Sequence, residues 1–297
     1  MKITFGITTR NCLNHTRLCL ESFKDECWRM LTSSRSAESL DIYLVICDND
    51  STDGTVKFID EFVPPPNCSK HFIKLDKNYG TPHSFNSILK VFDETDSDLC
   101  FFSNNDVVYT PHFIEQMLEF YKDFPEAGLF SCTCVDNQPG VDEAKLRWFG
   151  DLKSVIYEPK VDPEWHQFAA KRREEDNFLV NEGINACLFA LTKDCRKAVG
   201  NFNEEYQIGC YDDAEYCLLA ERAGYRVLNT SNAIIFHFGG SSQAQYRQDH
   251  GNNSYQAYNK GVFERKFNVN LDALNARCCR SLFWAPNSKG INERVYI

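Results

Sequence analysis

Along the first 133 residues, short apolar runs that end in polar residues alternate with longer segments whose apolar residues recur at helical spacing. Short apolar runs bounded by polar turns are typical of buried strands, and a spacing of three or four residues is typical of amphipathic helices. Such alternation indicates βαβ units, that is, a mostly parallel sheet with helices on both faces. The pattern predicts strands at 3–8, 42–47, 72–75, 99–102 and 128–133, and helices at 14–30, 55–62, 84–92 and 111–121.

After residue 133 the pattern is less regular. Proline and charged residues punctuate 136–180, where the charge run 171–176 indicates a solvated segment. We expect one large α/β domain over residues 1–242, in halves 1–133 and 134–242, and a C-terminal extension over 243–297. The elements predicted in this part are a strand at 186–191, helices at 194–199 and 212–224, a strand or strand pair at 227–238 and a helix at 255–267.

The composition is that of an ordinary soluble globular protein, with 43% hydrophobic and 25% charged residues. These values exclude intrinsic disorder, collagen-like repeats and coiled coils. No apolar stretch approaches the roughly 20 residues of a membrane-spanning helix. Met1-Lys2 leads directly into an apolar strand, without the core of a signal peptide. The expected location is therefore the cytoplasm.

The fourteen cysteines are scattered, and no pair has the C-x-x-C spacing of a zinc ribbon or a redox motif. The closest pairs, Cys132/Cys134 and Cys278/Cys279, fit neither pattern. We expect reduced thiols that serve as small buried hydrophobic residues, and no zinc site.

The net charge of −10 is unevenly distributed. Residues 241–297 carry eight Lys/Arg against four Asp/Glu, whereas residues 1–240 carry 24 against 38. The acidic body argues against nucleic acid as a partner, because binding nucleic acid requires a basic face. A basic bias of this kind is most often a solvated face. Three other roles are open for the basic tail with Phe283, Trp284 and Tyr296: to cover an acceptor site, to form a homodimer, or to lie peripherally at a membrane surface.

Four polar clusters lie at strand ends or helix starts, where ligands of such sheets bind. The first cluster consists of residues 8–10 and 48–54, whose hydroxyls and carboxylates can hydrogen-bond a ribose and a base edge. One of its acids can instead be explained as the N-cap of the helix that follows. Because no G-x-G-x-x-G pattern is present, a nicotinamide cofactor is not indicated. The second cluster is 77–80, where glycine lets backbone approach a ligand or simply forms a turn.

The third and fourth clusters carry acids. Asp106 follows an apolar strand and is well placed either to hold a divalent cation against phosphate oxygens or to form a turn. Asp212 and Asp213 begin a helix, where paired acids can supply a general base whose pKa is set by its neighbour. His237 ends an apolar strand before two glycines, which suits a metal ligand or a phosphate contact as well as a structural role.

In order and spacing, these clusters resemble the motifs of family 2 nucleotide-sugar glycosyltransferases, over roughly residues 1–242. Residues 48–55 are similar to the family's D-N-x-S-x-D-G-T turn, and residues 78–80 with Asn86 are similar to its N-x-G segment. Residues 104–106 are similar to an N-N-D variant of the D-x-D motif.

The second half resembles the same family. Residues 183–192 and 199–204 are similar to its acceptor-side segment. Residues 212–215 resemble the E-D-x-D helix, in the Asp-Asp form of galactofuranosyl- and some rhamnosyltransferases, and residues 237–242 resemble the H-x-x-G-x-S metal-ligand motif.

The resemblance implies the GT-A fold: a Rossmann-like, mostly parallel twisted sheet with flanking helices, here with a C-terminal extension. It implies an inverting, metal-dependent hexosyl- or pentosyltransferase that moves a sugar from a UDP-sugar, or from a dTDP- or GDP-sugar, to a glycan or glycoconjugate. The half 1–133 would bind the nucleotide sugar, and the half 134–242 would hold the acceptor and the catalytic acids.

The resemblance also implies roles for individual residues. Asp213 would be the general base and Asp212 would orient it, while Asp106 and His237 would bind Mn²⁺ or Mg²⁺. The donor-binding residues that it implies are Thr8, Arg10, Asp48, Asp50, Asn78, Asn104 and Asn105.

Two positions depart from the family pattern. Asn104 replaces the first acid of D-x-D, and Leu219 stands where the acidic helix usually has an arginine. These substitutions leave open a catalytically silent relative that binds a nucleotide or sugar, whereas the presence of Asp213 and His237 favours an enzyme. A nucleotidyltransferase is a third, less favoured alternative, because residues 8–11 contain no glycine.

Overall fold

The structure is a computed structural model and describes residues 1–32, 40–136, 180–239 and 254–297. The charge run 171–176, the end of the motif 237–242 and the expected domain boundary at residue 242 lie outside these residues. The helices are α1 (Leu13–Thr32), α2 (Thr55–Glu61), α3 (Thr81–Thr95), α4 (Phe113–Asp123), α5 (Lys193–Val199), α6 (Asp212–Arg222) and α7 (Ser254–Phe267). The strands are β1 (Lys2–Thr9), β2 (Asp41–Asp48), β3 (Cys68–Lys74), β4 (Leu99–Asn104), β5 (Val107–Tyr109), β6 (Ala127–Asp136), β7 (Val180–Glu182), β8 (Leu188–Thr192), β9 (Arg226–His237), β10 (Arg277–Cys279), β11 (Leu282–Pro286) and β12 (Asn292–Arg294).

Within the described residues, a nine-stranded sheet has the order β3-β2-β1-β4-β8-β6-β9-β5, and β7 pairs with β9. The first four strands of this order are parallel, and β6 is parallel to β9. Strand β8 is antiparallel to both β4 and β6, and β5 is antiparallel to β9. The mostly parallel α/β sheet predicted from the sequence is confirmed. The three-residue strands β5 and β7 were not predicted, because so short a segment shows no periodicity.

Successive side chains of a strand point to opposite faces of the sheet. Because the central strands are apolar at successive positions, both faces of the sheet are apolar. One face, which includes Phe5 and Leu44, packs against α1, α2 and α4. The other face, which includes Val45 and Phe102, packs against α3, α5 and α6. The helices therefore cover both faces of the sheet and leave the polar carboxyl ends of the strands uncovered.

The C-terminal extension contains α7 and a three-stranded antiparallel sheet, β10-β11-β12. Only the helix was predicted, because the strands have three to five residues each and β10 and β12 are largely exposed. The extension packs on α6, where Phe263, Leu271 and Phe283 form a buried cluster with Leu218. Because Phe283 is interior, it is not available to contact an acceptor, a second subunit or a membrane. None of the helices in the described segments is long and apolar enough to cross a bilayer.

Candidate functional site

A cleft of about 340 Å³ opens at the carboxyl ends of β1 and β4 and at the first turns of α3 and α6. All of the site residues predicted from the sequence line this cleft except Asp48 and Asp50. Its lining consists of Thr8, Thr9, Arg10, Asn49, Asn78, Gly80, Thr81, Phe85, Asn104, Asn105, Asp106, Ala186, Cys187, Ile208, Gly209, Cys210, Asp212, Asp213, His237 and Tyr255.

Asp48 and Asp50 form the turn after β2. The Asp48 carboxylate is buried and accepts hydrogen bonds from the backbone N–H of Ser51 (2.9 Å) and from its hydroxyl (2.5 Å). Burial raises the pKa of Asp48, and these two hydrogen bonds oppose the rise. Asp50 is exposed and has a left-handed backbone (φ 64°). In this structure the two acids shape the turn, and their assignment to the donor stays a prediction.

Asn105 holds the turn that follows β4 against the start of α1. Its side-chain amide is buried and donates to the hydroxyls of Thr9 (3.0 Å) and Thr16 (2.8 Å) and to the carbonyl oxygen of Asn11 (3.1 Å). The adjacent Asn104 lines the cleft, and its backbone N–H donates to the carbonyl oxygen of Cys187 (2.9 Å). The amide nitrogen of Asn105 is thus engaged within the protein, and the assignment of this residue to the donor stays a prediction.

Asp106 and His237 meet at one side of the cleft, with Asp106 Oδ1 3.1 Å from His237 Nε2. Strand pairing brings them together, because Val107 lies opposite His237 in the antiparallel β5–β9 ladder. Burial would raise the pKa of Asp106, but the hydrogen bond and charge of His237, together with the charge of His15, hold it below its ordinary value. The aspartate is therefore ionised at neutral pH.

His15, on α1, is a neighbour of this pair that the sequence did not indicate. Its ring stacks on Phe238 with 4.5 Å between the ring centroids. Burial lowers the pKa of His15, although the charge of Asp106 opposes that effect. A helical histidine in a half-buried position has no distinctive spacing, so no sequence signal marked it.

Asp212 and Asp213 begin α6, where the helix dipole favours acids. Burial raises the pKa of Asp212 to about 8, and the charge of Asp213 adds to the rise. Burial also raises the pKa of Asp213, but a hydrogen bond from the hydroxyl of Ser281 opposes it. The pair therefore favours a neutral Asp212 beside an ionised Asp213.

The loop 207–210, which leads into α6, is held by α7 of the C-terminal extension. Asn259 is fully buried, and its amide nitrogen donates to the carbonyl oxygens of Gln207 (2.8 Å), Gly209 (2.7 Å) and Cys210 (3.1 Å). Its amide oxygen accepts from the backbone N–H of Gln207 (2.9 Å). One side chain therefore fixes the approach to Asp212, and nothing in the local sequence around it suggests this role.

On the opposite side, the same loop contacts the start of α3. The carbonyl oxygen of Ile208 accepts from the backbone N–H of Thr81 (2.7 Å) and from its hydroxyl (2.8 Å). Gly80 makes this approach possible, because a Cβ atom there would lie 2.7 Å from the backbone nitrogen of Ile208. Asn78 caps the turn by accepting from the N–H of Gly80 (3.1 Å).

Ser281 reaches Asp213 from the turn between β10 and β11. The turn rests on Gly183, where a Cβ atom would lie 2.5 Å from the carbonyl oxygen of Arg280. The N–H of Ile184 donates to the same oxygen (3.0 Å). The catalytic pair predicted from the sequence is thus completed by a residue that the sequence did not indicate.

Comparisons with known proteins identify the family of this chain. A sequence model of the glycosyl transferase family 2 matches residues 4–191. No curated protein matches the chain significantly.

Three of the solved structures that resemble this chain are as follows. TarS of S. aureus is 15% identical, with a TM-score of 0.52; the match covers 80% of this chain but 37% of that chain. A 1–349 form of S. aureus TarS in complex with UDP is 14% identical, with a TM-score of 0.50 and coverage of 92% and 73%. The mannosyltransferase PcManGT from Pyrobaculum calidifontis, in complex with GDP-Man and Mn²⁺, is 14% identical, with a TM-score of 0.49 and coverage of 83% and 60%.

Proposed function

The chain belongs to glycosyl transferase family 2, and on this basis we propose that it transfers a sugar from a nucleotide-diphosphate donor to a hydroxyl group of a glycan or glycoconjugate. The likeness to TarS confirms the GT-A fold expected from the sequence. One observation carries the proposal: a single cleft is lined by both the Asp106–His237 pair and the Asp212–Asp213 pair. We favour a UDP-sugar as donor, which the UDP bound to the S. aureus neighbour supports, with dTDP- and GDP-sugars as alternatives.

The donor would lie along the ends of β1 and β4. Thr8 and Arg10 line the cleft at the end of β1, and Asn104 lines it at the end of β4. Carboxyl ends of parallel strands are where open α/β sheets bind nucleotides. Arg10 supplies positive charge beside the position of a diphosphate, and the hydroxyl and amide groups supply hydrogen bonds to the nucleoside.

Asp106 and His237 fit a divalent cation such as Mn²⁺ or Mg²⁺. An ionised carboxylate and an imidazole nitrogen 3.1 Å apart form a donor set that suits these cations. When bound, the cation supplies Lewis-acid stabilisation of negative charge on the leaving diphosphate. The half-buried His237 also holds the carboxylate of Asp106 in place through their hydrogen bond.

Asp213 would act as the general base in a single displacement. Its carboxylate takes the proton of the acceptor hydroxyl while the acceptor oxygen bonds to the anomeric carbon and the bond to the diphosphate breaks. One displacement of this kind inverts the anomeric configuration. Asp212, kept neutral by its pKa of about 8, adds no second negative charge beside the base.

A panel of UDP, dTDP, GDP and CMP, each with and without Mn²⁺, tests the donor class by thermal shift. A ligand that binds only the folded state adds about 2.7 kcal/mol of stability at a hundredfold excess over its Kd. We expect a Mn²⁺-dependent shift with one nucleoside diphosphate, UDP first, and release of that diphosphate from the matching nucleotide sugar. Binding without any release over a range of acceptors would favour the catalytically silent relative. No shift with any nucleotide would contradict the proposal.

A further inference from the structure

Three potential metal ligands lie together beside the cleft. The sulfur atoms of Cys134 and Cys187 and a ring nitrogen of His237 are all within 4.8 Å of one another. The two sulfur atoms are 3.5 Å apart. Cys187 lines the cleft itself, and Cys134 is half-buried.

The fold assembles this cluster from three separate segments. In the parallel β6–β9 ladder, Asp136 lies opposite His237. Since alternate residues of a strand share a face, Cys134 lies on the same face as His237. Cys187 precedes β8, which pairs with β6. The two cysteines are 53 residues apart in sequence, so a search for C-x-x-C spacing does not find them.

The spacing of the sulfur atoms matches that of metal ligands. Tetrahedral zinc with Zn–S bonds of about 2.3 Å places two sulfur ligands roughly 3.8 Å apart. A disulfide would need a separation of about 2.05 Å, so the two groups are distinct thiols. Thiolate and imidazole together select zinc-class cations over Mg²⁺ or Ca²⁺.

We propose that Cys134, Cys187 and His237 form a binding site for a thiophilic divalent cation of the zinc class. Binding replaces the two thiol protons by the metal ion and releases them to solvent, with no change of oxidation state. Three protein ligands leave the fourth position of the tetrahedron to water.

The site shares His237 with Asp106, whose carboxylate is 3.1 Å from the same ring. A cation bound to the two sulfur atoms and to His237 takes this histidine away from Asp106. The following consequence rests on the proposed function. If sugar transfer depends on Mn²⁺ or Mg²⁺ at Asp106 and His237, Zn²⁺ would inhibit it. Excess Mn²⁺ would not restore full activity, because it does not compete well for thiolates.

Cobalt(II) is the direct probe, because its thiolate complexes absorb in the near ultraviolet and its tetrahedral complexes absorb in the visible. Titration of the full, reduced chain with Co²⁺ should give both bands, saturating at one ion per chain and bleached by Zn²⁺. Cys134→Ser and Cys187→Ser should each weaken the charge-transfer band and lower the affinity at least tenfold. Cys210→Ser, which alters another thiol lining the same cleft, should leave the spectrum unchanged.

The proposal would be overturned if the wild-type chain gave no charge-transfer band with Co²⁺. It would also be overturned if Cys134→Ser gave a band as strong as that of the wild type. Since Cys187 is buried, the melting temperature of each variant shows whether it is folded, and the half-buried Cys134 offers the less disruptive substitution. The spectrum needs no nucleotide sugar, so cobalt binding without any transfer would contradict the proposed function alone. Transfer without cobalt binding would contradict the metal site alone.

Discussion

The hydroxyl of Ser281 donates a hydrogen bond to the carboxylate of Asp213, across 68 residues of sequence. Asp213 lies at the start of α6 in the body of the protein, whereas Ser281 belongs to the C-terminal extension. Since Ser281 is buried at this contact, the hydrogen bond is shielded from water. The extension therefore takes part in the candidate catalytic centre.

Replacing Ser281 by alanine should shift the acidic limb of the pH profile of kcat to higher pH. The Ser281 hydrogen bond opposes the rise in the pKa of Asp213 that burial causes, so its loss raises that pKa further. Because the base must be ionised, activity is then lost at a higher pH as the solution is acidified. A hydrogen bond to a charged group is worth about 1.5–3 kcal/mol, so we expect a shift of about one pH unit or more.

The matched control for this variant is Cys279→Ala, which changes an exposed residue of the same hairpin. Its acidic limb should coincide with that of the wild type. An unshifted limb in Ser281→Ala would show that the hydroxyl does not act on the base.

Asp213→Asn should lower kcat by about 10²–10⁴-fold, the usual contribution of a positioned general base. Nucleotide binding, measured by calorimetry, should persist, because the predicted donor contacts lie at the ends of strands and in the turns that follow them, not on α6. Asp212→Asn serves as the comparison: it preserves the neutral state that the raised pKa favours, so we expect a smaller loss. Normal turnover in Asp213→Asn would rule out this residue as the base.

His237→Ala should remove the Mn²⁺-dependent part of nucleotide binding. Residues that hydrogen-bond to a metal ligand contribute about 10–100-fold to metal affinity. Loss of a ligand itself should therefore lower the affinity for Mn²⁺ at least tenfold. Removal of divalent ions with EDTA should weaken binding to the wild type and change the variant little. His112→Ala, an exposed histidine at the start of α4, is the control and should bind like the wild type. Equal Mn²⁺ dependence in His237→Ala and wild type would exclude the ligand role.

Gly80→Ala should destabilise the protein more than Gly200→Ala. Both glycines have a positive φ, 90° and 88°, with ψ of 176° and −147°, a region that is essentially restricted to glycine, so both variants carry a similar conformational cost of about 1–3 kcal/mol. Only at Gly80 would the new methyl group collide with backbone, that of Ile208. We expect a lower melting temperature and weaker nucleotide binding for Gly80→Ala. Equal melting temperatures would mean that the loop 207–210 moves aside without cost.

The sequence predicted the elements that have a clear hydrophobic period. The strands of the main sheet and the helices packed on it were predicted with small errors at their ends. For example, the helix predicted at 84–92 extends over Thr81–Thr95 in the structure. Strands β10 to β12 were missed, because each has only three to five residues and none shows an alternation of burial.

The same distinction applies to the site. Asp106 and Asp212 are marked in the sequence, because each directly follows a strand or begins a helix. Ser281, Asn259 and Cys187 are not marked, because their roles arise from contacts with residues 49 to 68 positions away. Such contacts depend on packing of the whole chain, which local periodicity does not encode.

The hydrogen bond between Ser281 and Asp213 also sets an order of events on the ribosome. At about 5–20 residues per second, Ser281 is synthesised roughly 3–14 s after Asp213. Within that interval the last strand of the main sheet, β9, is completed at His237. From then on the nascent chain carries all the strands of the main sheet, yet Asp213 still lacks its hydroxyl donor, and the loop 207–210 is not held by Asn259 until α7 is made. The sheet can therefore begin to fold before the centre that it supports is complete, and a segment made after the sheet gives that centre its final form.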